Sequence, residues 1–181
     1  MKFGSYDVQK GRLIKPVYDK NITPYNAEYS VGYKDGFYGF VNWKNKLASK
    51  FEFSEVQFWN DTSALVKRNS TWMIVEIKSN KILIDKIQEF RFIQDTPSQK
   101  LAIFRQADKY GVFHSTRGTV IPLTFSYILN VGSGEEPLYF TEKHVEEEMI
   151  FVVIYYNKDG VMMRKEIYDH DDYDKIYCTH N

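Results

Sequence analysis

Residues 109–125 read "KYGVFHSTRGTVIPLTF". An aromatic–glycine pair, Tyr110-Gly111, opens a short apolar run. Thr116-Arg117-Gly118 reverses the chain, and the run back passes through Pro122 to Phe125. Aromatic and β-branched residues in runs of this length favour strands. Glycine accepts the positive φ that a tight hairpin turn needs. The stretch therefore predicts a β-hairpin.

The same pattern recurs. Five anchors align with Tyr110-Gly111: Phe3-Gly4, Tyr38-Gly39, Trp72-Met73, Tyr110-Gly111 itself and a degenerate Val152-Val153. Eight residues after each first anchor residue stands a turn position, namely Gly11, Lys46, Asn80, Gly118 and Gly160. Seven residues further on stands Tyr18, Phe53, Ile87, Phe125 or Ile167. Three features in phase over five copies indicate internal duplication, with units starting near 3, 38, 72, 110 and 152. A further strand precedes each later anchor ("YSVGY", "SALVKR", "KLAIFRQ", "PLYFTEK"), so each unit is an antiparallel meander of three or four short strands. Pro16 and Pro122 cannot donate to a ladder, which predicts strand ends or exposed edges. Helix is expected to be scarce, with at most a turn or two in "TEKHVEEEM".

Units such as "YGFVNWKNK" and "KYGVFHSTRGTVIP" resemble the WG repeats of bacterial proteins, and the likeness runs over residues 3–170. Tyr38 and Tyr110 replace the tryptophan, Trp72 lacks its glycine, and the fifth unit has lost both residues. The resemblance implies a repeat scaffold and no known reaction, and it brings no catalytic residues.

The expectation is thus one all-β domain over 1–181, a closed, propeller-like ring of five units of about 36 residues. The first unit lacks a preceding strand, and "KIYCTH" at 175–180 falls where the strand before a sixth anchor would begin. Pairing of 175–180 with 2–7 would latch the ring and remove two open edges. The alternative is an open, twisted β-solenoid.

Hydrophobic residues make up 43% of the 181 and aromatic residues 17%. No run is apolar enough for a signal peptide or a membrane span, and a single cysteine, Cys178, excludes an internal disulfide framework. A cytoplasmic location is expected. The net charge is zero but unevenly placed: residues 1–110 carry 18 Lys and Arg against 12 Asp and Glu, and residues 111–181 carry 6 against 12. Such asymmetry favours an acidic face that meets a basic protein.

Residues in phase are expected to build the core, and residues that break phase to carry function. Phe58, Trp59 and Asp61 lie in a loop-like segment. Adjacent strand residues point to opposite faces, so one of the two aromatics is expected outside. Trp43 stands where other units hold Val8, Ile77, Ser115 and Asn157. Exposed aromatics anchor proteins or stack on sugars. The insertion in the fourth unit carries Glu135, Glu136, Glu146, Glu147 and Glu148, which predicts one acidic protrusion. Asp171 and Asp172 stand in "YDHDDYDKIYCTH", an acidic segment whose spacing fits neither a calcium loop nor a zinc site.

No nucleophile elbow, phosphate-cradling loop or H-E-x-x-H occurs, and the four histidines are scattered. His114 shares its strand position with Asn42 and Glu76, which reads as a polar outward face. Basic residues are spread rather than striped, so nucleic-acid binding is not expected. The reading is a non-enzymatic, cofactor-free binding protein for a basic protein partner, an adaptor or immunity-type inhibitor. The alternative is a carbohydrate-binding module that stacks sugars on Trp43 and Trp59.

Overall fold

In a computed structural model, residues 1–173 are described. Among these residues every regular element but one 3-10 turn and a helical turn at 170–173 is a strand. The proposed strand at 175–180, with Asp174, Cys178 and His180, lies outside the described residues.

The strands form five small antiparallel sheets, each arranged in chain order. The first holds β1 (Phe3–Asp7) and β2 (Arg12–Tyr18). The second holds β3 (Thr23–Pro24), β4 (Tyr29–Lys34) and β5 (Phe37–Asn42), extended by single bridges Tyr38–Phe53 and Val41–Leu47. The third holds β6 (Glu55–Phe58), β7 (Ser63–Arg68), β8 (Thr71–Glu76) and β9 (Lys81–Ile87). The fourth holds β10 (Glu89–Asp95), β11 (Lys100–Gln106), β12 (Lys109–His114) and β13 (Gly118–Phe125). The fifth holds β14 (Tyr127–Asn130), β15 (Tyr139–Val145), β16 (Ile150–Tyr156) and β17 (Met162–Asp169). Among the described residues no sheet closes on itself.

Every anchor falls on an equivalent strand (β1, β5, β8, β12, β16), and its periodic partner lies directly across the hairpin. Phe3 faces Tyr18, Tyr38 faces Phe53, Trp72 faces Ile87, Tyr110 faces Phe125 and Val152 faces Ile167. The repeat spacing is therefore a hairpin register. At the turns, Gly11, Asn80, Gly118 and Gly160 have positive φ as expected; in the second unit that role passes from Lys46 to Asn45, at φ 58°.

The residue after the anchor sets the shape of the returning strand. Gly4 lies between the pairs Phe3–Tyr18 and Ser5–Ile14, so it alone faces Lys15, Pro16 and Val17. Gly111 likewise faces Pro122, Leu123 and Thr124. A Cβ on Gly111 would lie 2.9 Å from both the Ile121 carbonyl oxygen and the Leu123 nitrogen, which is closer than backbone atoms allow. Pro16 and Pro122 sit in these bulges on outer strands, where a missing N–H breaks no ladder. Met73 faces only Asp85 and Lys86, and Val153 faces Glu166 alone. The bulge is widest over glycine, where three residues face one.

The chain divides into two compact units, Met1–Ile87 and Gln88–Asn181. In the first, Ile14, Tyr18 and Val41 pack between the first two sheets, and Tyr29, Phe40, Phe53, Val66 and Val75 pack between the second and third. Phe40 and Phe53 are fully buried, and each contributes about 2 kcal/mol of apolar transfer free energy. In the second unit, Leu101, Val112, Phe125, Ile128 and Tyr139 fill the space between the fourth and fifth sheets. Among the in-phase aromatics, Tyr18, Phe53, Trp72 and Phe125 are buried, whereas Phe3, Tyr38 and Tyr110 are only half-buried.

Candidate functional site

Polar side chains build the turns. At the ends of three anchor strands Asp7, Asn42 and Asn157 use a side-chain oxygen to accept two backbone amides of the following turn, at 2.9–3.1 Å. His114 does the same in the fourth sheet: its Nδ1 accepts from the amides of Thr116 at 3.1 Å and Arg117 at 3.3 Å. The expected outward position of His114 is thus corrected, since the residue is 5% exposed. An accepting Nδ1 requires the neutral ring, and burial, with Arg117 nearby, lowers its pKa.

Asn60 caps the turn after β6 through the amides of Thr62 and Ser63, which leaves Asp61 exposed at its tip. Asp61 is tied back by its carbonyl, which accepts from Asn26 Nδ2 at 2.6 Å. Trp59 is 4% exposed, which corrects its reading as a stacking platform. Its amide donates to the Tyr25 hydroxyl at 3.1 Å, and that hydroxyl donates to the Ser63 carbonyl at 2.6 Å. Tyr25 comes from the neighbouring sheet, so no local pattern announces this contact; burial raises its pKa. Phe58 is half-buried, with its ring 5.2 Å from that of Tyr25.

Phe58 lines a recess of about 440 Å³ between β3 and β6, with Tyr38 among its walls. An equivalent recess of about 170 Å³ lies between β10 and β14, with Tyr110 in the place of Tyr38. Trp43 borders another, of about 460 Å³, with Arg12, Glu28, Asn42 and Lys44. The Trp43 ring is half-buried and packs on the Ile14–Tyr18–Val41 cluster.

The acidic residues divide differently from expectation. Glu135 and Glu136 sit in the loop before β15, and Glu146, Glu147 and Glu148 form a 3-10 turn after it. A seven-residue strand separates the two groups by about 20 Å, so the single acidic protrusion resolves into two ends of one sheet. Glu136 is engaged by Lys158 at 2.8 Å, beside an Arg117–Asp159 ion pair. At the other end Ile150 faces Asp169, which brings Asp169, Asp171 and Asp172 to the side of Glu146–Glu148. Asp169 Oδ1 accepts the Asp172 amide at 2.8 Å. Phe151 lies flat between His144 (4.6 Å) and Tyr173 (4.1 Å), and Tyr173 donates to the Glu142 carboxylate, so the acidic turn is pinned to the sheet. Among the described residues Glu146, Glu147 and Glu148 form no ion pair, and Met149 beside them is 65% exposed.

Among the described residues no three of His, Cys, Asp and Glu converge as metal ligands, and no helix is long and apolar enough to cross a membrane. No protein-family profile matches the chain, and no curated protein matches it. A solved structure titled "Crystal structure of the eukaryotic initiation factor" aligns at 7% identity and a TM-score of 0.38. The alignment covers 91% of this chain and 51% of that one. The chain thus spans about half the length of that protein, and a likeness so low carries no argument about fold or function.

Proposed function

We propose that the chain is a non-enzymatic, protein-binding β-repeat scaffold of the cytoplasm, an adaptor or an inhibitor of immunity type. Its partner would present a basic surface. The observation that supports this reading is the acidic end of the fifth sheet. There Glu146–Glu148 and Asp169–Asp172 meet from two segments, held by the His144–Phe151–Tyr173 stack. Carboxylates held in place beside an exposed methionine suit electrostatic steering followed by apolar contact. Capture of partners from lysate of the source organism tests it, with a Glu146→Lys, Glu147→Lys, Glu148→Lys variant alongside. One basic protein is expected on the native chain and lost on the variant and at high salt. Absence of that difference overturns the reading.

A second reading, sugar binding, draws on the Trp43 recess, where a half-buried indole stands among Arg12, Glu28, Asn42 and Lys44. Such binding would be indifferent to salt and abolished by Trp43→Ala. The proposed architecture is a propeller-like ring of five degenerate WG-type units, with an open, twisted β-solenoid as the alternative. The five chain-ordered sheets and the anchor pairings support it.

A further inference from the structure

The last strand of each sheet is an edge, and the edges are not alike. β2 carries Pro16 in its bulge, β13 carries Pro122, and β9 is bent at Lys86, where φ is 53°. Bulges and prolines of this kind keep edge strands from pairing with other chains. β17 has neither over its main run. From Arg164 to Asp169 it pairs with β16 residue for residue, and the only irregularity falls earlier, at Met163. Among the described residues β17 pairs with β16 alone. It also exposes apolar side chains: Met162, Met163 and Ile167 are 56%, 64% and 58% exposed.

We propose that a second copy of this chain docks antiparallel along the outer edge of β17, with Ile167 directly opposite Ile167 of the second copy. Symmetry limits the choice of register, because a two-fold axis through an antiparallel pair sets one residue against its own copy. Centring on Lys165 or on Glu166 would oppose like charges, which is unfavourable. Centring on Ile167 opposes the two exposed isoleucines and sets Lys165 against Asp169 of the other copy, twice. It also uses only the regular run, Arg164–Asp169, and leaves the Met163 bulge outside. Charge and register thus point to the same self-complementary edge.

Sedimentation of the full chain over a concentration series, with variants, tests the proposal. The native chain is expected to approach twice 21.4 kDa, and Ile167→Lys to stay at the monomer mass with an unchanged circular dichroism spectrum. Lys165→Glu should weaken the dimer, and Lys165→Asp combined with Asp169→Lys should restore it. In a Cys178→Ser background, Ile167→Cys should oxidise to a covalent dimer, because directly opposed Cα atoms lie within disulfide reach. Glu166→Cys should not. A native chain that is monomeric throughout, a dimer that survives Ile167→Lys, or cross-linking at 166 rather than 167 would each overturn it.

Discussion

The hairpins β12–β13 and β16–β17 start from corresponding anchors and close the same register fifteen residues on, at Phe125 and Ile167. Between those fixed points they distribute their residues differently. In the first, three residues bulge over Gly111, and residues 115–117 make a short turn. In the second, no residue bulges over Val153, and residues 157–161 make a longer turn. The repeat length survives because residues given up by the bulge are taken up by the turn. The outer strand over Gly111 is kinked around Pro122, whereas the outer strand over Val153 runs straight from Arg164 to Asp169.

The sharpest way to break this comparison is Gly111→Val. The new side chain meets backbone at Ile121 and Leu123, and a loss of about 3 kcal/mol is expected in denaturant unfolding. A loss below about 1 kcal/mol would show that the bulge does not depend on the glycine. Next in size is Asn157→Ala, which frees two amides of the longer turn and should cost about 1 kcal/mol. Tyr139→Phe works in the other direction. The Tyr139 side chain is fully buried and its hydroxyl has no hydrogen-bond partner among the described residues; burial pushes its pKa up to about 12. Removing that oxygen should leave stability unchanged or raise it by up to about 1 kcal/mol.

The subtlest contrast is between the caps. Below the ordinary histidine value of 6.5 the unfolded chain protonates His114 before the folded chain does, because folding lowers that pKa. The stability contributed by the neutral ring is complete above 6.5 and falls as the pH drops through the lower folded value. His114→Asn, which copies Asn42, should match the native chain at pH 8 and lose less stability in acid; equal acid losses would remove the histidine from this role.

The repeat was legible because a hairpin register must recur at a fixed spacing, and aromatic pairs such as Tyr110 and Phe125 mark it. It stayed legible in the fifth unit, where the signature residues are gone, because Val152 and Ile167 still keep the interval. What lay beyond the sequence depended on neighbours. Trp59 is buried, with its amide held by Tyr25 from the β3–β4 segment, and Glu135 is parted from Glu146 by the length of a strand that only folding lays straight. The joining of Asp169 to Glu148 likewise needed the β16–β17 register. His114 had a signal in the sequence, an in-phase polar position shared with Asn42 and Glu76, but a polar position on a strand reads as an outward face rather than a turn cap.

Among the described residues every sheet is assembled from strands in the order in which they occur along the chain, with no crossover between sheets. A ribosome making this protein thus releases each sheet as a finished local object, a few dozen residues at a time. Contacts close over short loops, so ordering one sheet never waits for a distant segment. Synthesis and folding can advance together, one sheet at a time.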